Sequence, residues 1–279
     1  MNLKIQKWVN PNGEELHFQY WLPEQKTKAS IVLIHGLGEH CNRYEHVAQF
    51  FNDHDIAVFA LDHLGHGKSS GKRGHIPSFK TVNEYISALI KLAKETVKDV
   101  PIILYGHSMG GNMVLYYTLS NQENLQIKGV ISTSPGLGVG EPIPPLKLTL
   151  AKVMNVLLPS MTLDNGLDVE NLSHDSEVIQ AYKDDPLVHP MISTRLAMEL
   201  INKGDWILNH ADQFPLPLFL ALGEKDHIVD AQKVIEFAEK APKDKTTFHL
   251  FEGLYHELHN EPQQEAVLND MLTWIENLI

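Results

Sequence analysis

Ser108 stands in Gly106-His107-Ser108-Met109-Gly110, between a short apolar run and a longer helix-like stretch. That strand–turn–helix setting is what a nucleophile elbow requires. The serine sits on a sharp turn so that its oxygen clears the sheet, and a glycine two positions to either side relieves the crowding. A hydroxyl held there can attack a carbonyl carbon, provided a base takes its proton and an acid orients the base. In such a sheet the acid and then the base follow the serine along the chain. Asp226 comes after the apolar run 217–222 and His256 after the run 246–251, and loops at the carboxyl ends of parallel strands share one rim. Glu224 and Asp230 compete for the acid role, and His249 and His259 for the base; His249 falls inside a strand run, which suits a structural role. The developing oxyanion needs backbone N–H donors. Met109, next after the serine, supplies one, and Leu37 in the turn His35-Gly36-Leu37-Gly38 is the candidate for the other.

Two motifs imitate other chemistries. Gly67-Lys68-Ser69 resembles the end of a phosphate loop, but the required first glycine is replaced by Asp62. His256-Glu257-Leu258-His259 resembles a zinc helix, but its imidazoles are three residues apart and position 260 is Asn260. The 16 histidines form no ligand set of convincing spacing, so no catalytic metal and no cofactor is expected.

The elements that must position these groups alternate short β-branched runs with amphipathic stretches, the pattern of a mostly parallel sheet with helices on both faces. Runs 5–9 and 16–22 flank Asn10-Pro11-Asn12-Gly13 and read as an antiparallel hairpin. Runs 30–35, 56–61, 101–105, 128–132, 217–222 and 246–251 are short and continuously apolar, as strands covered on both faces are. Helices are expected over 44–51, 82–97, 109–119, 234–241 and 264–279. Residues 136–214, opening with Pro142, Pro144 and Pro145, carry helix-like segments but no strand run. They read as a helical cap inserted into a core made of 1–135 and 215–279. Within the cap, Leu146, Leu150, Val153, Met154 and Leu157 share one face of a helix over 146–158. Such a face suits a lid touching a membrane surface, or equally one packed on the main domain.

Bulk properties narrow the field further. The 279 residues carry a net charge of −12, which repels a phosphate backbone and excludes nucleic acid as a partner. The single cysteine, Cys41, precludes an intrachain disulfide. There is no signal-like apolar stretch at the start and no window long enough to span a bilayer. A cytoplasmic protein, peripheral at most to a membrane, is expected.

Five stretches together resemble the monoglyceride lipase branch of the α/β-hydrolases, which includes lysophospholipase-like enzymes. They are His35-Gly36-Leu37-Gly38-Glu39-His40 with Arg43-Tyr44, Asp62-His63-Leu64-Gly65-His66-Gly67, Gly106-His107-Ser108-Met109-Gly110-Gly111, Tyr182-Lys183-Asp184-Asp185-Pro186-Leu187 and Tyr255-His256-Glu257-Leu258-His259. The resemblance implies an α/β-hydrolase fold and the triad Ser108, Asp226 and His256. It also implies that Glu39, Arg43 and His259 bind the glycerol end of a monoacylglycerol, where residue types alone allow a simple i,i+4 ion pair and a surface histidine. Leu37 departs from the smaller residue common in the family, which narrows the pocket without removing the main-chain donor. The expected activity is release of a fatty acid and glycerol from a small lipid ester. A lysophospholipase or general carboxylesterase is the alternative with the same chemistry, and a ligand-binding hydrolase shell the alternative of a different class.

Overall fold

A computed structural model describes residues 1–140 and 144–279. Its central sheet has eight strands in the order β1-β2-β4-β3-β5-β6-β9-β10. β1 (Asn2–Val9) and β2 (Glu15–Leu22) form the antiparallel hairpin, and β2 also runs antiparallel to β4 (Ile56–Leu61). The rest is parallel: β3 (Ala29–Ile34) between β4 and β5 (Ile102–His107), then β6 (Gly129–Thr133), β9 (Leu218–Gly223) and β10 (Thr246–Phe251).

The continuous apolar runs have a simple cause, because alternate side chains enter two different cores. Val32, Ile34, Leu104, Val130 and Leu220 pack on one face with α2 (Phe79–Thr96), α3 (Met109–Ser120) and α7 (Ala231–Lys240). Ile31, Leu33, Ile103, Ile131 and Phe219 pack on the other with α1 (Glu45–Asp53) and α8 (Gln264–Leu278). α2 starts three residues before the first position its periodicity marks, because Ser78 caps it by accepting from the Thr81 N–H at 3.2 Å.

The interval between β6 and β9 holds α4 (Pro145–Leu157), α5 (Ser176–Asp184) and α6 (Thr194–Asn209). It also holds two strands the sequence pattern does not show. β7 (Thr162–Asp164) and β8 (Met191–Ser193) pair antiparallel; three residues each are too few for a period-2 signal. Pro142 lies outside the described residues. No residue of α4 is buried. Leu148, Ala151, Met154 and Asn155 are half-buried, so Met154 does not share the exposure of Leu146, Leu150, Val153 and Leu157, which face outward, Leu146 at 81% exposure. Among the described residues no helix is long and apolar enough to cross a membrane.

Candidate active site

The parallel strands end level: Ile34 pairs with Gly106, Gly106 with Ser132, and Thr133 with Ala221. The loops that follow therefore open onto one rim. Ser108 leaves β5 at φ 55°, ψ −116°, a left-handed conformation that side chains other than glycine adopt only when the surroundings enforce it. Here its N–H donates to Thr133 O at 2.9 Å, and its carbonyl accepts from Asn112 and Gly136, each at 3.0 Å. Both flanking glycines are required by space. A methyl at Gly106 would lie 2.2 Å from Gly110 O, and one at Gly110 would lie 2.0 Å from Ile34 O.

His256 Nε2 lies 2.9 Å from Ser108 Oγ, and its Nδ1 lies 2.7 Å from Asp226 Oδ2. Asp226 Oδ1 accepts from the N–H groups of Ile228 at 2.9 Å and Val229 at 3.1 Å. These partners assign the tautomer: Nδ1–H donates to Asp226 and the bare Nε2 faces the serine hydroxyl. Burial alone would raise the Asp226 carboxyl, but the His256 ring and the two backbone donors outweigh it and hold it below the ordinary value. For His256 burial acts downward; Asp226, with smaller help from Glu257 and Glu39, reverses it, so the imidazole is more basic than usual. The neighbouring His107 has no such partner, and burial with the nearby His256 brings it down to about 3.

The competing residues have other work. Asp230 caps α7 by accepting from the Lys233 N–H at 3.2 Å. Glu224 accepts from Gly253 N–H at 2.9 Å, and His249 pairs with Asp270 at 3.0 Å.

The turn after β3 passes close beside Ser108, so that a methyl on Gly36 would lie 3.3 Å from Ser108 Cβ. Gly36 N–H is committed to Glu39 Oε1 at 2.6 Å. Among the described residues the N–H groups of Leu37 and Met109 donate to no protein acceptor. Gly38 adopts φ +76°, where a methyl would meet His189 O at 2.4 Å, and its carbonyl accepts from the His189 N–H at 2.9 Å.

A cleft of about 770 Å³, partly open to solvent, extends from Ser108 between the sheet rim and residues of the interval between β6 and β9. Its walls are mostly apolar, with Leu37, Met109, Val139, Leu172, Leu200 and Ile228 among them. Its polar side is formed by Glu39, Tyr182 and Glu257. Arg43 and His259 do not line it. Arg43 lies behind the carboxylates: one guanidinium nitrogen donates to Glu39 Oε2 and Glu257 Oε1, the other to Glu257 Oε2, all at 2.7 Å. It also stacks over the Tyr182 ring at 4.7 Å. His259 is fully buried, stacked on Tyr44 at 4.6 Å, and among the described residues neither ring nitrogen has a partner. Of the three residues expected to hold glycerol, only Glu39 reaches the cleft directly.

Sequence reasoning missed Glu257. In the sequence it is only one charge beside Leu254, His256 and Leu258; the structure buries it among them, where a charge must have a partner. Burial would raise its carboxyl, but Arg43 overrides this and, with the Asn260 amide, holds it at about 2. Glu39 is raised, burial outweighing its single bond from Arg43.

One buried trio, His17, Cys41 and Asp62, has potential ligand atoms within 4.8 Å of one another. Asp62 already accepts from the N–H groups of Cys41 at 2.8 Å and Lys68 at 2.7 Å, which pins the loop after β4. Burial and the Asp62 charge push the Cys41 thiol up, the opposite of what a thiolate ligand needs.

Residues 25–263 match the serine aminopeptidase S33 family of hydrolases. The chain is 33% identical to the monoacylglycerol lipase of Mycolicibacterium smegmatis, covering 94% of this chain and 93% of that protein. It is 37% identical to an abhydrolase domain-containing protein of Dictyostelium discoideum, of whose length it spans only 30%. The crystal structure of Paleococcus ferrophilus monoacylglycerol lipase superposes over 100% of both chains, with TM-score 0.85 and 31% identity.

Proposed function

Because the chain belongs to the serine aminopeptidase S33 family of hydrolases, we propose that it is a serine ester hydrolase acting on monoacylglycerols. The observation that carries this is the single hydrogen-bonded line Asp226–His256–Ser108, opening onto a cleft with apolar walls and one polar side. His256 Nε2 takes the Ser108 proton as Oγ attacks the ester carbonyl. The N–H groups of Leu37 and Met109, unspent in the protein, receive the oxyanion. His256 then gives its proton to the departing glycerol oxygen, leaving an acyl-serine that water cleaves by the same route to release the fatty acid. The acyl chain occupies the apolar wall and the glycerol hydroxyls face Glu39, with Arg43 and His259 supporting that side from behind.

Residues 136–214 act as the cap over this cleft, and the outward apolar face of α4 is the part that meets a lipid surface. What supports this is position: Val139, itself 49% exposed, lines the cleft and lies on the same insertion as Leu146, Leu150 and Leu157. An apolar helix face of this kind lies in the headgroup boundary, and a cytoplasmic enzyme that visits the membrane transiently would use it so. Fluorophosphonate labelling of Ser108, followed by a panel of monoacylglycerols, lysophospholipids and aryl esters, tests the assignment. Labelling without monoacylglycerol turnover would return the chain to a general esterase. Failure to label would leave a binding shell.

A further inference from the structure

The charged groups on the polar side of the cleft are carboxylates, beside the neutral phenol of Tyr182. Glu39 and Glu257 line it, whereas no lysine or arginine does among the described residues. The nearby cation, Arg43, is already used. Arg43 makes three hydrogen bonds of 2.7 Å to the two carboxylates, lies over Tyr182, and has a side chain only 10% exposed. Glu257 is what captures it, through a bidentate pair that Asn260 completes from the far side. Two carboxylates against one guanidinium leave a net negative charge once Glu39 is ionised. His107 is neutral in this surrounding.

Resting on the reading that the ester's head group lies at Glu39, we infer that Glu257 makes this site a charge filter. It admits head groups that are neutral and donate hydrogen bonds, and rejects anionic ones. The reaction itself escapes the filter. The tetrahedral oxyanion forms together with the His256 imidazolium, because the serine proton has only moved to Nε2, so the site gains no net charge. A phosphate on the head group brings a charge with no such compensation, and so does the fatty-acid carboxylate after hydrolysis. The same two acidic residues would therefore select glycerol esters over their phosphate monoesters and hasten departure of the acid product. Arg43 offers no relief, since freeing it to meet a phosphate would leave Glu257 buried and unpaired.

The test uses monodecanoylglycerol and its phosphate monoester, both as monomers at pH 8, with decanoate and decanol as matched competitive inhibitors. The unmodified enzyme should prefer the neutral ester by at least about tenfold in kcat/KM, since like charges brought together in a buried site are strongly disfavoured. Glu257→Gln, which keeps the shape and removes the charge, should narrow that preference several-fold and shift the decanoate-to-decanol inhibition ratio in favour of decanoate. Glu257→Asp should retain the original discrimination. Turnover of the two esters within about twofold by the unmodified enzyme would overturn the filter even if the variants fail to fold. So would a Glu257→Gln protein in which both ratios stand unchanged. If neither lipid is hydrolysed while an aryl ester is, the substrate reading falls instead, and the inhibitor pair still decides the question of charge.

Discussion

Asp226→Asn separates orientation from packing at this site. In the native arrangement Oδ1 accepts from the backbone of Ile228 and Val229, and Oδ2 accepts from His256 Nδ1. An asparagine of the same shape keeps its oxygen on the two backbone donors, so the loop stays formed. Its amide then faces Nδ1 with hydrogens, and the imidazole can meet them only by carrying its proton on Nε2. In that tautomer the nitrogen at 2.9 Å from Ser108 Oγ is a donor, unable to accept the serine proton. A wrong-tautomer defect of this kind costs about 10⁴ in turnover, or about 5.4 kcal/mol of transition-state stabilisation. The unfolding midpoint should move far less, because the backbone bonds survive. Turnover of a soluble aryl ester with KM resolved, beside thermal unfolding, measures both. A loss below about tenfold, or a loss of activity matched by collapse of the fold, would refute the assignment of Asp226 as the orienting acid.

Ser108→Ala should abolish fluorophosphonate labelling and lower turnover by about 10⁴–10⁶-fold while the protein stays folded; active-site titration and circular dichroism check the two halves. The acid limb of the kcat/KM profile should lie above 6.5, since His256 must be neutral to act and Asp226 raises its pKa; Asp226→Asn should move the residual limb downward. Gly110→Ala should destabilise the protein measurably in urea, because its new methyl would meet backbone oxygen at 2.0 Å rather than a movable side chain. His63 is buried and held at about 4. Its unfolded form binds protons from about 6.5 downward, so stability is full above that value and falls as pH drops toward 4. The loss between pH 7 and 5 amounts to about 2 kcal/mol from this residue, readable from urea midpoints at the two pH values.

The fold was legible wherever burial imposes a composition. Residues 56–61 read as a strand because both faces of the sheet are covered there, so no polar residue interrupts the pattern, whereas 246–251 forms the half-buried edge strand and admits Thr246, Thr247 and His249. The elbow was legible for a steric reason, since Gly106 and Gly110 stand where any side chain would strike backbone. Local competition was harder. Asp226 and Asp230 are both acids after one strand, and only the start of α7 shows that Asp230 is spent as its cap. β7 and β8 left no trace because they are three residues long and pair across a long sequence separation. The outward turn of α4 was not decidable from its pattern, for an amphipathic helix looks the same whether its apolar face meets a protein or a lipid. Glu257 was passed over because its partner, Arg43, is 214 residues earlier in the chain, beyond the reach of any periodicity.

That distance gives the buried ion network beside Ser108 a geometric consequence. Arg43 and Glu39 belong to the segment that carries Leu37, and Glu257 is the residue after His256. The chain Gly36 N–H, Glu39, Arg43, Glu257 therefore ties the loop carrying Leu37 to the loop carrying His256, through contacts of 2.6–2.7 Å. Apolar packing of similar volume would serve stability as well or better, but it would not fix direction. Hydrogen bonds between ionised groups hold angle as well as distance, and an oxyanion donor misplaced by even 1 Å loses much of its effect. Two segments that meet only in the folded state thus acquire a common reference frame at the rim where Ser108 must find both.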